Sequence, residues 1–292
     1  MKGRCRTVIL ILSGVVAAAC LLAALLRPRE PVYQGKALSD WLEEVNRAGS
    51  LDKTGTASNA IRAMGTNALP FLLAHIEHED PALKRQLAKL AQKQSFIKFG
   101  FLEPDRLRCP SVWALKELGA EASPLIPDLV KLLEDDAGST RSARSWWGGM
   151  GLWAIGAETR PALERACGSS NERVRATAAL LLARVSVQVD GWSWGWGKSL
   201  VSGRPIFRLG FVETEEVLEA LRRDLQHEDA DIRRASADAL KRQGRLGNDR
   251  QAAQVVATLL GALKDAEPAV RQAAANALKK NYPQAAPEEG LK

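Results

Sequence analysis

Apolar residues recur along this chain at three- and four-residue spacing, interrupted by glycines and acidic turns. Leu38, Trp41, Leu42 and Val45 form one such stripe, and Val217, Leu218, Leu221 and Leu225 form another. That period places each set on one face of a helix. Ser39 stands where the first of these helices needs an N-cap. Two stretches depart from the period. Residues 8–26, VILILSGVVAAACLLAALL, run 19 positions without a charge. At the helical rise they cover about 28 Å, close to the thickness of a bilayer core. From Val187 onward the pattern alternates every second residue, with Trp192, Trp194 and Trp196 in one phase. A period of two predicts an extended loop or small hairpin within 186–212.

The helical stretches repeat a phrase: an Ala/Leu helix, a glycine, a proline-containing second helix, an acidic turn, then an apolar residue and a basic one. It reads AIRAMGTNALPFLLAHI, then ALKELGAEASPLIPDLVKLL, then GLWAIGAETRPALERACG, and later VLEALRRDLQHEDADIRRASADAL and VVATLLGALKDAEPAVRQAAANAL. Gly119 and Gly156 are 37 residues apart, and Ile232 and Val270 are 38 apart. One amphipathic pair cannot bury its own stripe, but stacked neighbours bury it between them. Asp80, Asn171, Asp229 and Asp265 fall where a turn meets a helix and exposed N–H groups need an acceptor. Pro70, Pro124, Pro161 and Pro268 fit first-turn or turn positions. Alanines such as Ala273, Ala274 and Ala277 permit close helix approach. Arg144, Arg175, Arg233 and Arg271 form a ladder with one member per unit, suited to bonding the neighbouring turn's carboxylates and carbonyls.

This pattern resembles the HEAT repeat, in the short bacterial form also called HEAT-like or phycobilisome-lyase-type repeats. The residues carrying the resemblance are Gly65/Pro70, Gly119/Pro124, Gly156/Pro161, Asp229/Ile232-Arg233 and Asp265/Val270-Arg271, with Val174-Arg175 and Leu83-Lys84 in the same slot. It spans roughly residues 57–280. It implies an all-α, right-handed α-solenoid of about five to six antiparallel helix pairs, and a binding scaffold rather than a catalyst.

Charge narrows the partner. The net charge is +7, but Lys2, Arg4, Arg6, Arg27 and Arg29 lie in the first 29 residues, which hold no acid. Residues 30–292 keep 36 basic against 34 acidic side chains, so no phosphate-binding excess remains in the body. The uncharged segment reads first as a transmembrane anchor. A cleaved signal peptide and a lipoprotein-type signal ending at Cys20 are the alternatives, with a buried helix as the remaining one. The small excess of positive charge before it predicts a repeat body outside the cytoplasm.

Catalytic and metal motifs are absent from the sequence. There is no GxSxG, P-loop, GxGxxG after a strand, HExxH or CxxC. His75 and His78 share a helix face without a third fixed ligand, and His78-Glu79-Asp80 recurs as His227-Glu228-Asp229, the mark of a turn. Cys109 and Cys167 read as unpaired thiols rather than a disulfide. No cofactor, metal, small-molecule substrate or nucleic acid is expected. The candidate partner contacts are Trp192, Trp194 and Trp196, with Trp146 and Trp147 in a second cluster, because such rings carry binding energy at interfaces; the other reading is that these rings cover a gap where two repeats splay. The plan is a basic tail (1–7), a transmembrane anchor (8–26), a linker (27–36), a repeat domain (37–282) with insertions near 91–110 and 186–212, and a C-terminal tail (283–292). The function it predicts is a membrane-anchored scaffold for a protein partner; a lyase or other enzyme-associated protein on the same repeat fold, and a nucleic-acid-binding helical-repeat protein, are the alternatives.

Overall fold

The recurring glycines end helices, and the helices alternate between two layers. The computed structural model describes residues 29–47, 55–78, 107–135, 143–187, 192–198, 205–211, 215–244 and 249–286. The outer helices are α1 (Leu38–Arg47), α3 (Leu69–Glu77), α5 (Ile126–Glu134), α7 (Arg160–Cys167), α9 (Glu215–Asp224) and α11 (Asp249–Ala262). The inner helices are α2 (Thr56–Met64), α4 (Arg108–Leu118), α6 (Ala143–Ile155), α8 (Glu172–Val187), α10 (Ala230–Gln243) and α12 (Pro268–Asn281). Among the described residues each outer helix packs on the next inner helix, giving six pairs. The inner helices also stack in chain order, α2 on α4, α4 on α6, α6 on α8, α8 on α10 and α10 on α12. Outer helices α1, α3 and α7 reach one pair ahead, to α4, α6 and α10. This order is that of an α-solenoid.

The sequence explains the joints. Gly65, Gly119, Gly156 and Gly244 close α2, α4, α6 and α10, with φ of 52°, 53°, 89° and 80° and ψ between −123° and −168°. A Cβ makes that conformation costly, so glycine recurs there. The first three are followed by a 3₁₀ turn, and those turns stack on one another along the array. Proline then opens the outer helix: Pro70 in α3, Pro127 in α5 and Pro161 in α7. Pro124 sits inside the 3₁₀ segment instead. Between layers one apolar cluster runs from Leu38 to Tyr282. Leu72, Leu129 and Leu163 are fully buried in outer helices, each contributing about 1.5–3 kcal/mol.

Several expectations change. Ser39 is the second residue of α1, not its cap; its N–H donates to Glu30 Oε2, and Asp40 Oδ2 accepts from Ala37 N. The linker carries a tight turn. Strands β1 (Val32–Tyr33) and β2 (Lys36–Ala37) pair around Gln34 and Gly35, both at positive φ, and Trp41 Nε1 donates to Tyr33 O. The first insertion ends earlier than its predicted bound, because Arg108–Pro110 begin α4. The second contains an antiparallel hairpin, β3 (Trp192–Lys198) and β4 (Pro205–Phe211), where the period-two pattern left loop and hairpin open.

The expected single-pass membrane topology with an extracytoplasmic body is corrected. Among the described residues no helix is long and apolar enough to cross a membrane. The longest, α8, has 16 residues and includes the buried Arg175 and Arg184. Residues 8–26, on which that expectation rested, lie outside the described residues, as do 1–7 and the stretch holding Asp80, Phe96, Phe99 and Phe101.

Candidate functional site

One edge of the array is built from the turns that join outer to inner helices, and its geometry recurs in pairs four, five and six. Arg175 Nη1 donates to the carbonyls of Ser169 and Ser170 at 2.8 and 2.7 Å. Arg233 Nη1 donates to His227 and Glu228, both at 2.8 Å. Arg271 Nη1 donates to Asp265 and Ala266 at 2.7 and 2.8 Å. Each arginine therefore clamps the carbonyls six and five residues before it. In the same turns Ser169 Oγ, His227 Nδ1 and Asp265 Oδ1 accept the N–H two residues on, at 3.2, 3.0 and 2.9 Å. Asn171 and Asp229 then cap the helix by accepting from Arg173 N and Asp231 N. Asp265 belongs to the earlier of these two slots, and Glu267 occupies the N-cap without a side-chain bond.

The remaining guanidinium nitrogens of Arg175 and Arg233 reach the next pair. Arg175 Nε and Nη2 donate to Asp238 Oδ2 of α10 at 3.1 and 2.8 Å, with both side chains about 95% buried. Arg233 meets Asp265 in a two-pronged bond, Nε to Oδ2 at 2.7 Å and Nη2 to Oδ1 at 3.0 Å. Arg144 pairs with Asp135 at the end of α5. Arg233's bonds hold the Asp265 carboxyl below the usual carboxylate value. Burial pushes Asp238 above it despite Arg175. These cations are spent on the array's own turns and carboxylates.

The aromatic candidates divide. Trp146 is 43% exposed, whereas Trp147, at 7%, belongs to the core with the Arg108 guanidinium 5.9 Å from its ring centroid. Trp147 is therefore corrected from contact to packing residue. Trp153 is also buried, with Lys116 Nζ 5.4 Å from its ring centroid. The neighbouring glycines explain the inward seating. A Cβ on Gly148 would come within 2.7–2.8 Å of Leu132 Cβ, Leu129 O and Leu133 N, so α6 presses directly onto α5. In the hairpin, Trp192, Trp194 and Trp196 pair with Phe211, Leu209 and Phe207. Six large apolar positions thus occupy one phase of the ladder. Trp113, buried in α4, went unmarked by the sequence reading; only its place directly before the recurring Ala-Leu gives it away.

Nucleophile and metal chemistry find no assembled set here. Burial, then Asp224, pushes the Cys167 thiol up to about 12, so it stays protonated. Cys109 and Cys167 are buried and unbridged. His75 lies in α3, its pKa lowered by burial, and His78 follows the helix end. Among the described residues no three His, Cys, Asp or Glu side chains converge as metal ligands.

No curated protein matches the chain. A designed armadillo repeat protein in complex with the peptide (KR)4 is 16% identical, covering 84% of this chain and 99% of its own, at a TM-score of 0.24. An engineered protein is 16% identical over 85% and 97%, also at 0.24. The narrower likeness to lyase-type repeats gains no support from these matches. The HEAT repeat pattern matches residues 255–280, from the middle of α11 through most of α12, so the last pair, with Asp265 in its turn and Arg271 on its inner helix, is similar to a HEAT repeat.

Proposed function

We propose that this chain is a non-catalytic scaffold that binds a protein partner, with its repeat body spanning 37–282. The observation that carries the reading is the combination of a six-pair helical array with an aromatic hairpin inserted between its fourth and fifth pairs. Repeat arrays expose broad surfaces built from many short elements, and such surfaces suit proteins better than small substrates. The turn arginines are engaged internally, and the acidic and basic side chains of 30–292 nearly balance, so recognition falls to apolar and shape contacts. Trp192, Trp194, Trp196 and Trp146 are the proposed anchors.

The test is quantitative affinity capture with the full chain and a variant carrying Trp146→Ala, Trp192→Ala, Trp194→Ala and Trp196→Ala. The reading predicts a partner retained by the parent and lost by the variant, with both proteins equally stable to urea. Full retention by the variant removes these rings from the contact.

A further inference from the structure

We propose that the β3–β4 hairpin is a strap that folds back over the first two helix pairs and covers the surface a partner needs. In a solenoid each unit touches its neighbours along the chain. The hairpin breaks that rule. It leaves after α8, in the fourth pair, yet the β4 backbone runs against α1 of the first pair and α4 of the second.

Helix α4 shows the consequence. It has the neighbours an inner helix should have: α2 and α6 on its flanks, α3 and α1 from the outer layer. Helix α10 has the matching set, α8 and α12 with α9 and α7. The buried run of α10, Ala235–Leu240, is mostly short side chains that neighbouring helices cover unaided. In α4 every residue from Arg108 to Leu115 is buried, including Arg108, Val112, Trp113 and Leu115. Long side chains pointing in all directions need cover on the fourth side as well. Among the described residues, β4 is the neighbour of α4 that lies outside the helical stack and its joints.

The strap places the tryptophan-bearing hairpin and the α1–α4 surface in one contact, so partner binding and docking of the hairpin on the array compete. The inference rests on the hairpin being the contact element, and its test needs no partner. Residues 190–213 are replaced by a short Gly-Ser linker, and amide hydrogen exchange is followed in each helix. The expected result is lost protection in α1 and α4 with α10 and α12 unchanged, and recovery when a synthetic peptide of residues 190–213 is added. The same peptide should not bind the intact chain. Leu209→Pro in the full chain, which removes a ladder donor from β4, serves as the second variant, with the same loss expected. Unchanged exchange at α1 and α4, equal loss in α10 and α12, or equal peptide binding by the intact chain overturns the strap. A partner lost on tryptophan substitution while exchange stays unchanged leaves the scaffold standing without it.

Discussion

Arg175 and Asp238 join adjacent pairs out of contact with water, which makes the two residues dependent on each other. Removing one leaves a buried charge uncompensated. Arg175→Met should therefore cost about 3–5 kcal/mol in urea denaturation, and adding Asp238→Leu should recover most of it. An additive double variant would show that the pair is not coupled. Asp265 makes a pH prediction of definite sign. Its folded carboxyl titrates below the ordinary 3.8. As pH falls, the unfolded chain takes up this proton first, and stability drops between 3.8 and the lowered value. Asp265→Asn should abolish that portion of the acid destabilisation. An unaltered stability profile below pH 4 would contradict the assignment. Asp238 works in the opposite direction, since its raised value favours the folded state on acidification. The arginine ladder was legible in the sequence because it recurs. Its acceptors were less so: Asp238 lies 63 residues from Arg175, and Asp265 sits six positions before its arginine where Asp229 sits four. Trp146 and Trp147 are adjacent, and only helix rotation decides which one is buried.

Helix joints and helix contacts carry the next set of consequences. Gly119 holds a backbone conformation that side chains resist, so Gly119→Ala should destabilise by about 1–3 kcal/mol despite lying where an added Cβ meets nothing. Gly148 makes the converse case. Alanine there improves helix propensity by about 1 kcal/mol, yet its Cβ would strike the α5 backbone. Overpacking of about 1–3 kcal/mol should win, and calorimetry would register a lower melting temperature for Gly148→Ala. A raised one would mean that α6 can back away from α5. The joint glycines were readable from the repeat; the alternation marked 186–212 as extended without deciding between a loop and a hairpin. The start of α1 was not. Its N–H groups are served by Glu30, nine residues before Ser39, and by Asp40 reaching backward, whereas local propensity favoured Ser39 itself.

Among the described residues, six pairs share a core in which each inner helix packs on the inner helices of its neighbouring pairs. The repeat period conveyed this architecture, because burial of every stripe requires a neighbour. A run of apolar residues conveyed less than it promised: hydropathy alone supported a membrane-spanning helix, while the described helices are short and bury their apolar faces against each other. The sealing of pair by pair is most directly tested by native-state hydrogen exchange on a chain ending at Gly244, which lacks α11 and α12. The account predicts that amides in α10 lose protection while those in α4 and α5 keep theirs. Equal loss of protection in α4, α5 and α10 would contradict it.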